Sequence, residues 1–331
     1  MLSRTRLFTT AILSGVCLGG AAIDTIAQGY PARPVRVVIA YAAGGPTDLL
    51  GRTVAQKLGE ILGEPFVVEN RPGGGGTIGA AAVAKAPADG YTLFFETIAG
   101  LSVNHSVYKS LPYDARKDFT PIGPVASGAV FLWVNSSLPA RDLKELVALA
   151  KSKPGQLSFG SAGRGQYPTH IGPELFKLKN GLDLMNVPYK GAAPAMLDVA
   201  AGRISFVMTA GLAAARPYLD AGKVRALAVT GDKRAAALPN VPTFAEAGSP
   251  LPEMSIGGWF GFLGPAGLPR NIVVKLSQSI ATAMASPDVL ARLGALSLEP
   301  MTATPEAFAD LFNTAIDTWA PVLRRMNITP E

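Results

Sequence analysis

Cysteine and histidine are scarce in this sequence, and their scarcity excludes whole classes of site. The single cysteine among the 331 residues is Cys17, so no disulfide framework and no sulfur-ligated metal site can be built. The two histidines, His105 and His170, are too distant in sequence to indicate a metal site. We therefore expect neither a metal nor any other cofactor.

Charge is also sparse. Charged residues make up only 16% of the chain and form no lysine–arginine run, although the net charge is +6. A nucleic-acid-binding protein would normally show a basic stripe with interleaved aromatic side chains. The lack of such a stripe argues against a nucleic-acid partner, while mild basicity is compatible with a small acidic ligand.

The first 27 residues have the pattern of a secretory signal peptide. Arg4 and Arg6 precede an apolar stretch over 7–22, and residues 25–27 supply small side chains for a signal peptidase. Cys17 lies inside this leader, in a poor context for lipid attachment. No later segment has the roughly 18 uninterrupted apolar residues of a membrane span. These features predict a secreted protein that is soluble once the signal peptide is removed.

The remaining chain, about 300 residues, is enough for two domains of ordinary size. It opens on a predicted buried strand, Val35–Ala40, which is followed by a glycine-bearing turn, Ala43–Thr47, and a helix with apolar residues every three or four positions. Such a turn leaves backbone N–H groups free at the positive end of a helix dipole, which makes an anion site without a charged side chain. Thr47 or Asp48 could cap this helix or contact a ligand.

A second turn of the same kind lies further along the chain. The predicted strand Leu157–Gly160 leads into a glycine-bearing loop, Ser161–Thr169, and then into a helix, His170–Lys179. The β-α-β order around both turns predicts parallel sheets covered by helices on both faces. Ser161 and Thr169 could each cap the second helix or contact a ligand.

Other candidate residues stand at predicted strand ends, where α/β sheets present side chains to a cleft. For Thr97, ligand contact and a structural role are both open. Tyr189 and Lys190 follow another strand, and Lys190 could pair with a carboxylate or simply be solvated. His170 opens a helix, where a lone histidine is more often packed than ligand-binding.

Several segments resemble those of one known family. They occupy residues 40–52, 67–80, 89–93, 111–123, 187–204, 225–248 and 257–269, the first reading AYAAGGPTDLLGR and the last GGWFGFLGPAGLP. Each segment alone is unspecific, but together they are specific and span nearly the whole chain after the leader. On these segments the sequence resembles the Bug-type periplasmic solute receptors, the extracytoplasmic binding proteins associated with tripartite tricarboxylate transporters.

This resemblance implies an α/β fold of the two-domain periplasmic-binding-protein type, with a ligand cleft between two doubly wound sheets. Residues 28–128 and 253–331 would form the first domain, because the C-terminal helices return to it in this family, and 129–252 would form the second. A hinge motion would close the domains around the ligand. The mature protein would be a monomer in the periplasm and would not be an enzyme.

The resemblance also implies a ligand, a small organic carboxylate such as a di- or tricarboxylate. Backbone amides of one loop from each domain would hold it, and these loops match 41–48 and 161–170. With the strand-end residues, the predicted ligand-binding set is Tyr41, Ala43, Gly44, Gly45, Thr47, Asp48, Thr97, Ser161, Ala162, Gly163, Thr169, His170, Tyr189 and Lys190. The receptor would deliver its ligand to a membrane transporter or, alternatively, signal to a membrane sensor.

Two departures from the family pattern bear on the identity of the ligand. The second loop is one residue longer than usual and carries Arg164, Gln166 and Tyr167, and Ser205 stands where an aspartate is common. A missing acid and an added arginine would disfavour a ligand with an amino group and favour a plain organic acid.

An enzyme is the rival interpretation. Residues 74–79 satisfy the pattern G-x-G-x-x-G between a predicted strand and helix, and Glu96 is near enough to serve as the acid of a Rossmann nucleotide site. Pro72 separates these glycines from the strand, however, and no base or hydride-site histidine is near. No G-x-S-x-G elbow occurs either. A third alternative, an adhesive secreted protein, would have no ligand cleft.

Overall fold

The structure is a computed structural model that describes residues 29–41, 43–108, 110–162, 166–189, 191–256 and 258–326. The predicted signal peptide lies outside these residues, as do Gly163, Arg164 and Lys190. Within the described part of the chain, no helix combines the length and the apolar character that crossing a bilayer requires.

Strands and helices alternate through most of the described chain. The strands are β1 (Val35–Ile39), β2 (Phe66–Asn70), β3 (Thr92–Thr97), β4 (Phe119–Ser127), β5 (Val130–Asn135), β6 (Ser158–Ser161), β7 (Met185–Pro188), β8 (Phe206–Ala210), β9 (Val224–Val229), β10 (Trp259–Pro265) and β11 (Glu299–Pro300). The helices are α1 (Pro46–Leu62), α2 (Thr77–Ala84), α3 (Ile98–Val107), α4 (Leu143–Ser152), α5 (Ile171–Asn180), α6 (Ala192–Ala200), α7 (Arg216–Asp220), α8 (Pro252–Ile256), α9 (Arg270–Met284), α10 (Pro287–Leu296) and α11 (Pro305–Arg325). A short 3₁₀ helix, Gly74–Gly76, precedes α2.

These strands form two mixed sheets. The first has six strands in the order β11-β4-β10-β3-β1-β2, and the second has five in the order β7-β6-β8-β5-β9. In the first sheet β1 runs parallel to β2 and β3, while β10 pairs antiparallel with β3 and β4. In the second, β6 runs parallel to β7 and β8, while β5 pairs antiparallel with β8 and β9. The predicted parallel units are therefore present, with antiparallel strands added to each.

The parallel part of each sheet is doubly wound. From β1 the chain passes to β2 on one side and then crosses to β3 on the other, and from β6 it passes to β7 and then crosses to β8. Each reversal leaves a crevice at the carboxyl ends of the strands, between β1 and β3 and between β6 and β8. Ligands of α/β proteins bind at such crevices.

The C-terminal helices pack on the first sheet, as the resemblance implies. The last helix, α11, lies against α3 and β4, and α9 lies against α1 and β4. One apolar cluster includes Val38 and Phe94 of the first sheet, Leu132 and Phe159 of the second, and Trp319 of α11. The division into domains at residues 128/129 and 252/253 stays a prediction.

Two elements differ from the sequence-based expectation. The pattern predicts a loop with one short helical piece over 101–118, but α3 already begins at Ile98, because the Thr97 hydroxyl accepts the Gly100 amide and caps the helix. The pattern also predicts two terminal helices, whereas a third, α10, forms between them with Pro287 in its first turn. Proline is well suited to that position, where the N–H is unpaired in any case.

Candidate functional site

The turn after β1 places free backbone amides at the start of α1. Gly44 has a positive φ of 84°, a conformation that glycine adopts without a steric penalty. The amides of Thr47 and Asp48 lie in the first helical turn and have no hydrogen-bond partner among the described residues. The turn thus has the free donors of the predicted anion site.

Neither Thr47 nor Asp48 caps α1, which corrects one prediction. The capping position belongs to Gly45, and Pro46 follows it at the first helical position. Because proline tolerates that position best, the helix begins two residues earlier than a Thr47 cap would allow. No side chain caps this helix through a hydrogen bond.

The buried carboxylate of Asp48 instead holds the turn in place. It accepts the Gly44 amide at 2.9 Å, Arg52 Nε at 3.0 Å and Asn70 Nδ2 at 2.8 Å. Asn70 also donates to the Tyr41 carbonyl at 3.0 Å. Burial acts to raise the pKa of Asp48, but the hydrogen bonds from Arg52, the Gly44 amide and Asn70 outweigh it and lower the pKa. Asp48 is therefore ionised, and Arg52 neutralises it.

Tyr41 and Thr97 meet at the crevice between β1 and β3. Their hydroxyl oxygens are 3.1 Å apart. The Thr97 amide and hydroxyl both donate to Glu96 Oε1, at 2.7 and 3.1 Å. Glu96 is only 2% exposed, and burial raises its pKa to about 7. A carboxyl group that changes charge near neutral pH therefore lies beneath two of the predicted ligand-binding residues.

The glycine-rich turn after β2 is bound to α3. Residues 73–76 all have positive φ, Asn104 Nδ2 donates to the Gly75 carbonyl at 2.9 Å, and the Tyr108 hydroxyl donates to the Gly74 carbonyl at 3.0 Å. This turn follows the edge strand of the sheet, whereas a Rossmann phosphate site uses the turn at the central switch point. Glu96, moreover, is buried and not presented to a cleft. The glycine pattern therefore has a structural role.

Thr169 closes the loop after β6. Its hydroxyl accepts the Ala162 amide at 3.0 Å. Ser161 is fully buried, and its hydroxyl has no hydrogen-bond partner in the described part of the chain. Neither residue caps α5, which corrects the capping alternative, because the capping position belongs to His170.

The start of α5 differs from the start of α1. The chain already turns helically over 167–170, so the His170 and Gly172 amides donate to the carbonyls of Gln166 and Pro168 at 2.9 and 3.0 Å. The amides at these two positions are therefore not available to a ligand. The two glycine-bearing turns are alike in topology but not in their free donors.

His170 and Tyr189 are held by their surroundings. The buried His170 ring lies 6.5 Å from the Phe159 ring, between centroids. The Tyr189 amide donates to the Ser161 carbonyl at 2.7 Å, and its hydroxyl donates to Asp198 Oδ2 at 2.8 Å. Tyr189 is thus fastened to β6 by its backbone and to α6 by its side chain. Gly163 and Lys190, also predicted site residues, lie outside the described residues.

The loop after β6 also contacts the other half of the molecule. A side-chain carbon built on Gly75 would lie 3.7 Å from Gln166 Nε2. The Tyr167 hydroxyl donates to the Met254 carbonyl at 2.7 Å, and its ring lies 5.8 Å from the Trp319 ring. Tyr167 therefore attaches the longer loop to α8 and packs it against α11, and Gln166 lies near the glycine-rich turn.

The structure corrects the inference from Ser205. Its hydroxyl accepts the Ser158 amide at 3.1 Å, at the beginning of β6, whereas the candidate loop follows the end of that strand. Ser205 thus lies at the end of the strands opposite to the candidate loop, away from a ligand that the loop would hold.

Two cavities bounded by described residues lie elsewhere. One of about 570 Å³ lies against α1 and β2 and is lined by Arg52, Gly59 and Phe66. Another of about 500 Å³ lies where the chain passes between the sheets and is lined by Gly128, Thr230 and Trp259. Neither is lined by residues 41–48 or by the described residues of 161–170.

Sequence reasoning did not place Glu96 or Asn70 in this site. Glu96 is the one acid in a buried apolar strand, and that contrast is a usable signal, but the pattern suggested a nucleotide site instead. Asn70 at the end of β2 gives no signal, because its role depends on a partner 22 residues away.

Known proteins are similar to this chain in both architecture and sequence. The sequence model described as tripartite tricarboxylate transporter family receptor matches residues 50–328. BugT of Bordetella pertussis is 35% identical over 310 residues, covering 93% of this chain and 94% of BugT. The solved structure described as "R. palustris Rpa4515 with adipate" is 36% identical with a TM-score of 0.80, and covers 91% of this chain and 100% of that one. MatC (Rpa3494) from Rhodopseudomonas palustris with bound malate is 32% identical with a TM-score of 0.76, and covers 89% and 100%.

The mixed α/β fold with two doubly wound sheets agrees with the periplasmic-binding-protein type predicted from the sequence, and the relatives are solute receptors and not enzymes. The chain belongs to the tripartite tricarboxylate transporter receptor family, which includes the Bug proteins.

Proposed function

We propose that this protein is a periplasmic receptor that captures a small dicarboxylate between the turn 41–48 and the loop 161–170 and delivers it to a membrane transporter. Two relatives of this chain are described with adipate and with malate, which are both dicarboxylates. The mature receptor would act in the periplasm after removal of residues 1–27. The observation that carries the proposal is that free first-turn amides occupy the switch-point crevice of the first sheet.

Backbone donors, and not basic side chains, would hold one end of the ligand. The Thr47 and Asp48 amides stand at the positive end of the α1 dipole, which favours an anion by about 0.3–2 kcal/mol. Asp48 does not oppose this, because Arg52 Nε binds its carboxylate at 3.0 Å. The hydroxyls of Tyr41 and Thr97 flank the same crevice.

Donors of the second sheet would hold the other end. Ser161 has a buried hydroxyl with no partner among the described residues, and an unpaired buried hydroxyl destabilises a protein unless something satisfies it. A ligand carboxylate at the β6–β8 crevice would accept this hydroxyl. Tyr167 contacts Met254 and Trp319, and Gln166 lies near the glycine-rich turn. These approaches between the loop and the elements around the first sheet support a cleft that closes over the ligand.

A thermal-shift screen followed by calorimetry tests the proposal. Adipate and malate should raise the melting temperature, because a ligand of the native state stabilises it by mass action. Aspartate, in which an ammonium group replaces the hydroxyl of malate, should bind more weakly, because the backbone amides of the turn are donors and cannot accept from an ammonium. A receptor that no organic acid stabilises, or that turns over a substrate, would contradict the proposal.

Ser161→Ala distinguishes a ligand role from a structural role. Since the hydroxyl has no partner among the described residues, its removal should leave the melting temperature of the free protein unchanged or higher. The Kd for the best acid should rise about tenfold. Ser152→Ala, on the exposed face of α4, is the matched control and should change neither. An unchanged Kd in Ser161→Ala would remove this residue from the site.

A further inference from the structure

Glu96 does not belong to the proposed amide site, yet it lies directly beneath Tyr41 and Thr97. We infer that capture of the dicarboxylate is coupled to uptake of one proton by Glu96, which reverses a hydrogen-bond chain and turns the Tyr41 hydroxyl into a donor toward the ligand. The inference rests on the proposed function, because it concerns the regulation of that same site.

The hydrogen-bond chain has one direction when Glu96 is ionised. Its Oε1 accepts the Thr97 hydroxyl proton at 3.1 Å as well as the Thr97 amide at 2.7 Å. Thr97 Oγ1 has no second proton, so at its 3.1 Å contact with Tyr41 it can only accept. The Tyr41 proton is therefore directed inward, to Thr97 or to Glu96 itself, and only lone pairs of the Tyr41 oxygen remain for a ligand. Lone pairs repel a carboxylate.

Protonation of Glu96 reverses this direction. A proton on Oε1 is donated to Thr97 Oγ1, while the other lone pair of Oε1 still accepts the Thr97 amide. Thr97 then donates its own proton to the Tyr41 oxygen and keeps its bond from the Gly100 amide, which is 3.3 Å away. The Tyr41 O–H is released to donate to a ligand oxygen. The Glu96–Thr97 and Thr97–Tyr41 contacts persist in both states with their directions reversed, so the switch breaks neither of these two bonds.

The hydrogen bonds that Thr97 and Tyr41 direct to Glu96 favour its charged form, but burial outweighs them. The groups that face it are the Tyr41 phenol from the turn after β1, the Tyr113 phenol from the segment after α3, and the Asn104 amide, with Gly76 behind Oε2. Among these described groups none is a cation. Burial raises the pKa of Tyr113 to about 12, so that phenol stays neutral at the pH of interest. The raised pKa of Glu96 agrees with this environment.

Binding of a dicarboxylate and ionisation of Glu96 should therefore oppose one another. A dicarboxylate at the crevice would lie close to an ionised Glu96 in a poorly solvated site, where like charges repel strongly. The ligand selects the protonated form. For a carboxyl that titrates near pH 7, the Kd should rise about tenfold between pH 6 and pH 8.

Calorimetry in buffers of different ionisation enthalpy measures the coupled proton directly. The probe is adipate, or the acid that binds most tightly in the thermal screen. At pH 7.5 the wild type should take up about 0.8 proton per ligand bound. Glu96→Gln, which is neutral and nearly isosteric, should take up none, and its Kd should change less than about twofold between pH 6 and 8.

Tyr41→Phe distinguishes the effect of proton uptake by Glu96 from the effect of the Tyr41 hydroxyl on ligand binding. It removes the outer end of the chain but leaves Glu96 in place, so adipate should bind more weakly while the proton uptake remains. Binding without proton uptake in the wild type would overturn this inference and leave the proposed function standing. A pH dependence that persists in Glu96→Gln would overturn it too, because a group other than Glu96 would then take up the proton. Failure of every acid to bind would contradict the proposed function itself.

Discussion

Two carboxylates at the first crevice show how the same residue class acquires opposite properties. Asp48 is buried but accepts three hydrogen bonds, one of them from a guanidinium, and its pKa is lowered. Glu96 is buried and accepts hydrogen bonds from the neutral groups of Thr97 and Tyr41, and burial raises its pKa to about 7. The guanidinium of Arg52, a charged donor that Glu96 lacks among the described residues, therefore decides which acid stays ionised. Arg52 lies four residues after Asp48 in the same helix, a spacing that a sequence can indicate, whereas no local pattern reports Asn70, which reaches Asp48 from β2.

The raised pKa of Glu96 makes the stability of the free protein depend on pH. Its pKa is about 7 in the folded state and 4.5 unfolded, so the folded state binds the proton more tightly. The resulting stability is fully present below about pH 4.5 and is lost as the pH rises through about 7, with a total on the order of 3 kcal/mol.

Glu96→Gln should abolish this loss. Urea unfolding at pH 5.5 and pH 8 measures it, and the stability of the variant relative to the wild type should be about 2 kcal/mol greater at pH 8 than at pH 5.5. Parallel pH profiles for the two proteins would show that the carboxyl stays ionised in the folded protein.

At the scale of elements, most strands and helices could be predicted because their apolar periodicity is local. The two glycine-bearing turns were found for the same reason. The capping residues were not predicted correctly. Helix α1 begins at Pro46, and a helical turn over 167–170 already precedes α5. Helix α10 was missed because a short amphipathic segment between two proline-marked boundaries gives a weak signal.

The loop after β6 should depend on one hydroxyl. Thr169→Val removes the acceptor of the Ala162 amide, which is bonded at 3.0 Å, and should destabilise the protein by about 1 kcal/mol. The Kd for the captured acid should rise as the loop loosens. Thr169→Ser keeps the acceptor and should retain both stability and affinity. Equal losses in the two variants would indicate that the methyl group, and not the hydrogen bond, holds the loop.

The approach of α11 to the first sheet should depend on Gly261 in β10. A side chain there would meet the Phe308 ring of α11 and would lie 2.9 Å from the Gly123 carbonyl oxygen. Because backbone cannot yield cheaply, Gly261→Ala should destabilise the protein by about 1–3 kcal/mol. Gly294 in α10 has no atom within 4 Å of such a carbon, so Gly294→Ala should stabilise by about 0.5–1 kcal/mol. Denaturant midpoints test both, and a neutral Gly261→Ala would contradict the packing described.

At the scale of the whole molecule, the two sheets and the contacts between their halves were less accessible to sequence reasoning. The family resemblance supplied the two-sheet fold, but the antiparallel strands β5 and β10 pair with partners far away in sequence. The ring contact of Tyr167 with Trp319 and the proximity of Gln166 to Gly75 bring together residues more than 90 positions apart. Such pairs follow from the topology of the fold, and no local sequence pattern predicts them.

The most direct test is a crystal structure of the protein with adipate or malate bound. The account predicts a carboxylate that accepts the Thr47 and Asp48 amides at one end and donors of the Ser161 loop at the other, with no lysine or arginine as its main partner. A ligand in the cavity lined by Thr230 and Trp259, or one held chiefly by basic side chains, would contradict it.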